Sequence, residues 1–460
     1  MEEVRGSSKR GARSERDWTK GSIIGNLLSL SWPIMITQGV TQLGPIIDMI
    51  WVGKLGAAAI AGVGISGMVV MIMNATRMGL QTGTRALVAR SIGAGDKQGA
   101  NNVAQQTLVI TIAFSIVMAA IGIFFAEQIL LLMGLQADVV DEGAAYLRVQ
   151  LIGMVTLSFQ MMTQSIMQAS GDSVRPMWIS VGAKLFHIVL CPFLIFGWWI
   201  FPRLDVSGAA LTGVIDGGIA GALGMWLLYS GRTRLQLTMR NFRFDWNIIW
   251  RIVKIGIPAI INGTERNMAN LLVTWLVVPF GTFAVAAHSL MQRIDQLVQM
   301  PAAGLGQGAG VLAGQNLGAG KPERAERTGW LSVGLFMGVM SISSVVVWFW
   351  PEPIIRIFDS EPGLVKVASI FLRIQLVQYM TFGFDMVLMN CLNGVGDTMI
   401  PMLNTLITMW GVQMPLAYFL SRFTPLGVYG VRWAMVAALA VRAVVFGIYF
   451  KMGRWKRLKV

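Results

Sequence analysis

The chain has 460 residues, of which 55% are hydrophobic and only 13% are charged, and its formal net charge is +14. An average soluble domain has about 25% charged residues, so this composition excludes an ordinary water-soluble enzyme and indicates a membrane protein. The basic excess could indicate a nucleic-acid partner, but the placement of the basic residues accounts for it without one, and we expect none.

Apolar stretches long enough to cross a bilayer core, which takes about 20 residues each, recur along the whole chain. They predict twelve transmembrane helices near residues 24–50, 58–83, 104–126, 145–169, 178–200, 206–230, 249–277, 283–306, 328–350, 367–392, 400–420 and 426–450. Gly and Pro interrupt several of them, which membrane helices tolerate where neighbouring helices or a water-filled cavity satisfy the freed backbone groups. The predicted fold class is an all-α polytopic membrane protein.

The second half of the chain repeats the first at a nearly constant offset of 225 residues. Pro33 matches Pro258, and the run Gly93-Ala94-Gly95 matches Gly318-Ala319-Gly320. Each copy has six predicted helices, and this even number gives both lobes the same orientation, with a pseudo-twofold axis along the membrane normal. Repeats of this kind are common in transporters, where the substrate path lies between the copies.

Lys and Arg residues are concentrated on one side of the predicted helices, a positive-inside pattern that places both termini in the cytoplasm. We therefore predict a basic cytoplasmic tail at 1–22, an N-lobe at 23–230, a cytoplasmic linker at 231–248, a C-lobe at 249–450 and a basic cytoplasmic tail at 451–460. The expected location is the plasma or inner membrane, with the lipid bilayer as a partner. A monomer is expected, because the cleft lies within one chain.

Motifs of soluble enzymes are absent from the sequence. There is no Gly-x-x-x-x-Gly-Lys-Ser/Thr loop for ATP, so transport would be driven by an ion gradient. We predict that the protein is not an enzyme and that it needs no cofactor beyond a coupling ion, H⁺ or Na⁺. The Gly93-Ala94-Gly95 run and its repeat are interpreted as tight turns between helices rather than phosphate cradles. Cys191 and Cys391 both lie inside predicted membrane segments, which makes a structural disulfide an unfavoured interpretation.

In combination, these landmarks resemble the multidrug and toxic compound extrusion (MATE) family of cation-coupled exporters. The residues that carry the resemblance are Leu30-Ser31-Trp32-Pro33 and Ala89-Arg90-x-Ile92-Gly93-Ala94-Gly95-Asp96 in the first copy, and Gly314-Gln315-Asn316-Leu317-Gly318-Ala319-Gly320 and Leu392-Asn393-Gly394-x-Gly396-Asp397-Thr398 in the second. Arg293-Ile294-Asp295 is similar to the DinF-like and archaeal branch. The resemblance implies a two-lobed exporter that alternates between inward-open and outward-open states and exchanges protons or sodium for amphipathic, often cationic, compounds.

Acidic residues inside the membrane are the leading candidates for ion coupling, because a charge in the bilayer centre costs at least about 2.5 kcal/mol and should face a cavity or a partner. Asp48 matches the family's first-helix aspartate, and a buried carboxylate can take up a proton near neutral pH. The alternative interpretation is that Asp48 lies at the helix end and pairs with Lys54. Glu265 and Asp385 resemble the second-lobe acids of sodium-coupled members, either as ion ligands or as structural partners of neighbouring charges.

His187 and Cys191 occupy positions where proton-coupled relatives usually have Asn and Asp, ahead of the same proline. A free thiol titrates near pH 8.5, whereas His titrates near 6.5 and can carry protons, so we expect His187 to share the coupling role. The alternative is a His that lines the cavity and a Cys that packs. Their spacing of four residues puts both on one helix face, but two ligands without a third do not predict a metal site.

Other residues are expected to line the cavity or shape the helices. The expected cavity residues are Gln38, Cys191, Thr212, Met161, Met162 and Asn267. Structural or gating roles are expected for Pro33, Pro258, Arg293 and Asp295, the last two being two residues apart and therefore on different faces of their helix.

Three functions of different classes remain open. The first is a secondary active exporter, an antiporter for small amphipathic or cationic compounds. The second is a flippase for lipid-linked oligosaccharide or a related amphiphile, which would be expected to have a more basic cavity. The third is a membrane transferase, for which the sequence lacks paired acidic motifs in an aqueous loop.

Overall fold

The computed structural model describes residues 17–132, 137–240, 242–358 and 361–458. Parts of the two predicted tails, residues 1–16 and 459–460, lie outside these ranges. The described chain is almost entirely helical. Its helices are α1 (Ile23–Val52), α2 (Ala57–Gly93), α3 (Lys97–Leu132), α4 (Ala137–Ile152), α5 (Met154–Ala169), α6 (Val174–Phe196), α7 (Asp205–Tyr229), α8 (Trp246–Val277), α9 (Thr282–Gly318), α10 (Pro322–Phe349), α11 (Pro351–Arg356), α12 (Pro362–Val395), α13 (Met399–Thr408), α14 (Met414–Phe423) and α15 (Val428–Met452).

These helices form six spans in each half of the chain. Eight helices of the described ranges are long and apolar enough to cross a membrane, namely α1, α2, α3, α6, α7, α10, α12 and α15. The pair α4 and α5 forms a further span, α8 and α9 are long but carry more charged and polar residues, and α13 continues into α14 through a π-helical turn at Met409–Gln413. This is the all-α fold with twelve spans that the sequence predicts.

Helix bounds differ from the predicted ones mainly at one end of the molecule. The second span, predicted to end near residue 83, continues as α2 to Gly93, and α9 likewise continues to Gly318. These extensions are rich in Gly and polar residues, so hydropathy does not detect them, but they pack against each other. The fourth span is interrupted at Gly153, where α7 comes so close that a Cβ would lie 2.0 Å from Val214 Cγ2.

Within the N-lobe, α5 and α6 pack on α7, and α1 packs on α6, so that α1, α6 and α7 meet. A buried apolar cluster that includes Val52, Ile195 and Ala209 lies between these three helices. In the C-lobe, α12 is the central helix and packs on α9, α10 and α15. Each lobe has apolar packing of its own, and two buried clusters continue across the lobe boundary, one through Leu30 of α1 and the other through Ile252 of α8.

The lobes meet through α1 and α2 of one half and α8 and α9 of the other. The contact between α2 and α9 is reciprocal: a Cβ on Gly93 would lie 2.0 Å from the carbonyl oxygen of Gln315, and one on Gly318 would lie 2.1 Å from that of Arg90. Gly95, in the turn that follows α2, has a positive φ of 76° that favours glycine. The glycine runs are thus both tight turns and the point of closest approach between the repeats, which we name the closed end.

Hydrogen bonds also join the lobes in this half of the molecule. Arg85 Nη1 donates to Gln307 Oε1 (2.8 Å), and Gln315 Nε2 donates to the carbonyl of Ala169 (2.7 Å). Both ends of the described chain lie here too, because Lys321 Nζ donates to the carbonyl of Thr19 at 2.9 Å, and Arg90 Nη2 donates to the carbonyl of Leu458 at the same distance.

Candidate functional site

A buried cluster of charged side chains lies in the N-lobe where α1, α6 and α7 meet. His187 is at its centre: Nε2 lies 3.0 Å from Asp48 Oδ1 on α1, and Nδ1 lies 2.9 Å from Asp216 Oδ2 on α7. The Asp216 carboxylate also accepts a hydrogen bond from Lys184 Nζ at 2.5 Å. The imidazole thus lies between two carboxylates, but only its Nε2 has a hydrogen-bond partner among the described residues, while an ammonium group holds Asp216.

Cys191 completes this arrangement. Its thiol donates to Asp48 Oδ1 at 3.4 Å, so Asp48 contacts two side chains of α6. Lys184, His187 and Cys191 recur at spacings of three and four residues, which places all three on one face of α6, the face turned to α1 and α7. We name the five residues Asp48, Lys184, His187, Cys191 and Asp216 the N-lobe cluster.

Two members of the N-lobe cluster keep some exposure, Asp48 with 11% of its side chain and Lys184 with 14%. The side chains of His187 and Asp216 are only 1% and 2% exposed. Asp48 lies four residues before the end of α1, in the half of the N-lobe away from the closed end. Lys54, the alternative partner considered from the sequence, lies over the ring of Trp51 at 4.4 Å instead.

The C-lobe has a second charged cluster, formed by Glu265 and Arg266 of α8, Asp385 of α12 and Arg442 of α15. Arg442 Nη1 lies 3.5 Å from Asp385 Oδ1, and Arg442 Nε donates to Thr408 Oγ1 at 3.2 Å. Glu265 is 5% exposed and lies in the electric field of both arginines. Asp385 is therefore paired with Arg442, whereas both carboxylate oxygens of Glu265 are buried and have no hydrogen-bond partner among the described residues.

Asp295 belongs to a separate buried network. It accepts hydrogen bonds from Tyr379 Oη (2.9 Å) and from Gln375 Nε2. Arg432 joins the network through Gln375 and lies 2.8 Å from His288 Nδ1. Arg293, two residues before Asp295, is exposed, so these two residues make separate contacts, as their spacing predicts.

The remaining predicted residues lie in different parts of the lobes. Pro33 and Pro258 are buried inside α1 and α8, while Gln38 and Asn267 are half-buried on the same two helices. Thr212 is fully buried and donates to the carbonyl of Gly208 in its own helix at 2.7 Å.

Met161 and Met162 line a small cavity of about 30 Å³ in the N-lobe, together with Arg77 and Ser158. Arg77 Nη2 donates to Asn74 Oδ1 at 2.6 Å. Its Nε and Nη1 atoms and the Ser158 hydroxyl are buried and have no hydrogen-bond partner among the described residues. This cavity is separate from the N-lobe cluster.

Sequence reasoning missed Lys184 and Asp216. Both carried a detectable signal: Asp216 is an acid within an apolar segment, and Lys184 precedes His187 by three residues on the same helix face. It also treated His187 and Cys191 as two ligands without a third, whereas the structure brings Asp48 within contact of both.

Two similar lobes of membrane-spanning helices, joined at one end and enclosing buried charged clusters, form the architecture of a membrane transporter. The MatE family model matches residues 33–193 and 258–419, one match in each lobe. The chain belongs to this family, and it is therefore a multi-pass membrane transporter and not an enzyme.

Relatives and solved structures agree with this assignment over nearly the full length. The chain is 26% identical over 434 residues to the probable multidrug resistance protein YoeA of Bacillus subtilis, covering 93% of each, and 24% identical over 426 residues to an FAD transporter of Shewanella oneidensis, covering 92% of each. A crystal structure of a MATE protein in the bent conformation superposes with a TM-score of 0.88 at 24% identity, covering 95% of this chain and 96% of that one. A MOP superfamily transporter from Pyrococcus furiosus, described as having a binding pocket of reverse polarity, superposes with a TM-score of 0.87 at 25% identity, covering 95% of this chain and 96% of that one. The twelve-helix, two-lobed fold and the family resemblance predicted from the sequence are confirmed.

Proposed function

We propose that this protein is a secondary active exporter that extrudes amphipathic, often cationic, compounds in exchange for inward-moving protons or sodium ions. It works as a monomer in the cell membrane, with both termini in the cytoplasm, where the basic residues of the closed end meet the inner leaflet. Support comes from relatives named as multidrug resistance proteins, including a probable NorM of Thermotoga maritima that is 24% identical over 437 residues.

The observation that carries the coupling proposal is the charge balance of the N-lobe cluster. Asp48 and Asp216 are two carboxylates, and Lys184 is the single permanent cation beside them. A buried charge without compensation is unfavourable, so the cluster needs one more positive charge. A proton shared by His187 and Asp48, or a sodium ion at Asp48, supplies it, and the coupling cation binds there.

The C-lobe cluster has no such deficit in net charge, because it contains the two arginines Arg266 and Arg442 and two acids, although only Arg442 and Asp385 lie within ion-pair distance. In this proposal, Asp48 and His187 are the main coupling residues. Glu265 and Asp385 have a secondary role, and that of Asp385 depends on its release from Arg442 when the lobes move.

Alternating access follows from the way in which the lobes are joined. Close backbone contacts begin at the closed end and continue along α2 to Gly83 and Gly79, while Asp48 lies in the other half and keeps some exposure. With the closed end facing the cytoplasm, we assign this arrangement to the outward-open state. Binding of the external cation at Asp48 then precedes the separation of α2 from α9.

A second candidate is a flippase for lipid-linked oligosaccharide or a related amphiphile with an anionic group. Arg77 favours it, because this arginine lines an N-lobe cavity and two of its guanidinium nitrogens are buried without a hydrogen-bond partner among the described residues. An anionic headgroup would satisfy these donors.

The test is efflux of ethidium from proteoliposomes under an imposed pH or sodium gradient. Wild-type protein should export the dye under one of the gradients, and the gradient that works identifies the coupling ion. Asp48→Asn should abolish gradient-driven efflux, while Lys54→Gln, a change beside the cluster but outside it, should retain it. No dye movement under either gradient, with transfer of a fluorescent anionic lipid instead, would favour the flippase.

A further inference from the structure

The N-lobe cluster contains three donor atoms of different chemistry on two helices. Asp48 offers a carboxylate oxygen, His187 offers Nε2 and Cys191 offers a thiol sulfur, and these atoms all lie within 4.8 Å of one another. We propose that they form a binding site for a divalent metal ion of the Zn²⁺ class. This site goes beyond the exchange of protons or sodium proposed above, and its existence does not depend on that exchange.

The distances suit such an ion. Zinc bonds to N, O and S ligands are about 2.0–2.3 Å long, so ligand atoms in a tetrahedron are about 3.3–3.8 Å apart. Asp48 Oδ1 lies 3.0 Å from His187 Nε2 and 3.4 Å from Cys191 Sγ, and the remaining pair, His187 Nε2 and Cys191 Sγ, lies within 4.8 Å. Small side-chain rotations bring these atoms to the spacing of a tetrahedral site. His187 and Cys191 are four residues apart on α6, a spacing at which one helix face supplies two ligands.

Asp216 provides the support that metal-binding imidazoles usually have. Its carboxylate lies 2.9 Å from His187 Nδ1, although the two atoms do not have hydrogen-bond geometry in this structure. A small rotation of the ring on metal binding lets Nδ1–H donate to Asp216 and leaves the Nε2 lone pair for the metal. Lys184 in turn holds Asp216 at 2.5 Å. Asp216 is therefore a positioning residue that orients the ligand from behind.

Charge also balances when the ion is bound. Binding displaces the thiol proton of Cys191 to solvent, leaving a thiolate, the Asp48 carboxylate and a dication, which sum to zero. Lys184 and Asp216 cancel each other. Three protein ligands leave a fourth position open on the exposed side of Asp48, where water or another ligand binds.

The site has a mechanical consequence. The metal ties α1 to α6 through Asp48, the residue to which we assign the coupling cation, so a bound ion excludes that cation and stops transport. This consequence rests on the proposed function, whereas binding itself does not, and the two are measured separately.

Binding is tested with Cd²⁺, whose bonds to thiolates absorb in the ultraviolet, on purified full-length protein in detergent. Wild type should show the thiolate band with one ion bound per chain. One proton per ion should be released from Cys191, and a second where the His187–Asp48 pair holds the coupling proton. Cys191→Ser should lose the band. The matched control is Cys391→Ser, a buried thiol of α12 in the other lobe, and it should keep the band and the stoichiometry.

Asp216→Asn should keep the band but bind Cd²⁺ about 10–100-fold more weakly, the usual effect of losing a partner of a metal-bound imidazole. Zn²⁺ should displace Cd²⁺ from wild type. A band that persists in Cys191→Ser, or that Cys391→Ser removes, would overturn the proposal, as would unchanged affinity in both Asp48→Asn and His187→Ala. Helical circular dichroism and the gel-filtration profile identify variants that do not fold. If dye efflux fails while Cd²⁺ binds as expected, the proposed function is wrong and the metal site stands.

Discussion

The pair formed by Lys184 and Asp216 gives the sharpest prediction about stability. Lys184→Met keeps most of the length and apolar surface of the side chain and removes only its charge. Asp216 is then left without its ammonium partner, at 2% exposure. Removing one partner of a buried ion pair costs about 3–5 kcal/mol, because the remaining charge is uncompensated.

The structure narrows this range. His187 Nδ1 lies 2.9 Å from the same carboxylate oxygen and can carry a proton in place of the lost ammonium. Lys184 itself keeps 14% exposure, so some solvent already weakens the pair. We therefore expect the lower part of the range, a loss of about 3 kcal/mol in the free energy of unfolding. Adding Asp216→Asn should recover most of it, because the double variant has no unpaired charge.

The measurement is reversible unfolding in mixed micelles of mild detergent and dodecyl sulfate, for the wild type, the two single variants and the double variant. Lys366→Met, at an exposed lysine of α12, serves as the control and should change stability by less than about 0.5 kcal/mol. If the double variant loses as much free energy of unfolding as the two single variants together, the two side chains do not interact and the prediction is wrong.

Two further predictions concern the joint between the lobes and the C-lobe cluster. Gly93→Ala should destabilise the closed end by about 1–3 kcal/mol and reduce dye efflux, because the added Cβ would collide with the carbonyl of Gln315. Gly64→Ala, which adds a Cβ in open space on the same helix, is the control and should leave efflux unchanged. Equal efflux by the two variants would contradict the predicted collision. Arg442→Gln removes the ion-pair partner of Asp385 and leaves a carboxylate that can bind sodium. Because a bound ion stabilises the folded state, the unfolding temperature of this variant should be higher in sodium chloride than in choline chloride, by more than for the wild type. Identical temperatures in the two salts would show that the freed acids bind no sodium.

The sequence predicts the fold well because bilayer-spanning helices depend on long apolar segments. It predicts poorly where a helix continues beyond the apolar segment. α2 reaches Gly93 through a polar extension that is stabilised by contact with α9, and such contacts cannot be read from one segment alone. The break at Gly153 has the same origin, since it reflects the approach of Val214 from another helix.

The candidate site was predicted in part. The family resemblance, together with their place in apolar segments, identifies Asp48, His187 and Cys191, and the structure brings them into contact. Whether they couple ions or bind metal stays a prediction. Lys184 and Asp216 have no counterpart in the motifs that carry the resemblance, so only their charge inside an apolar segment marks them in the sequence. Only the assembled helices show that Asp216 lies against the His187 imidazole and that Lys184 pairs with Asp216.

The closed end has a consequence for how salt acts on this protein. Within the described ranges, no ion pair joins a residue of one lobe to a residue of the other, and the reciprocal contact at Gly93 and Gly318 is made by glycine and backbone carbonyls. Parting these surfaces breaks the hydrogen bonds that Arg85, Arg90 and Gln315 make to the other lobe, but those bonds go to neutral acceptors and no ion pair is broken. Ionic screening therefore has little effect on the joint. A change in transport rate on replacing one salt by another at constant ionic strength then reports on the cation bound inside the lobes, not on the hinge.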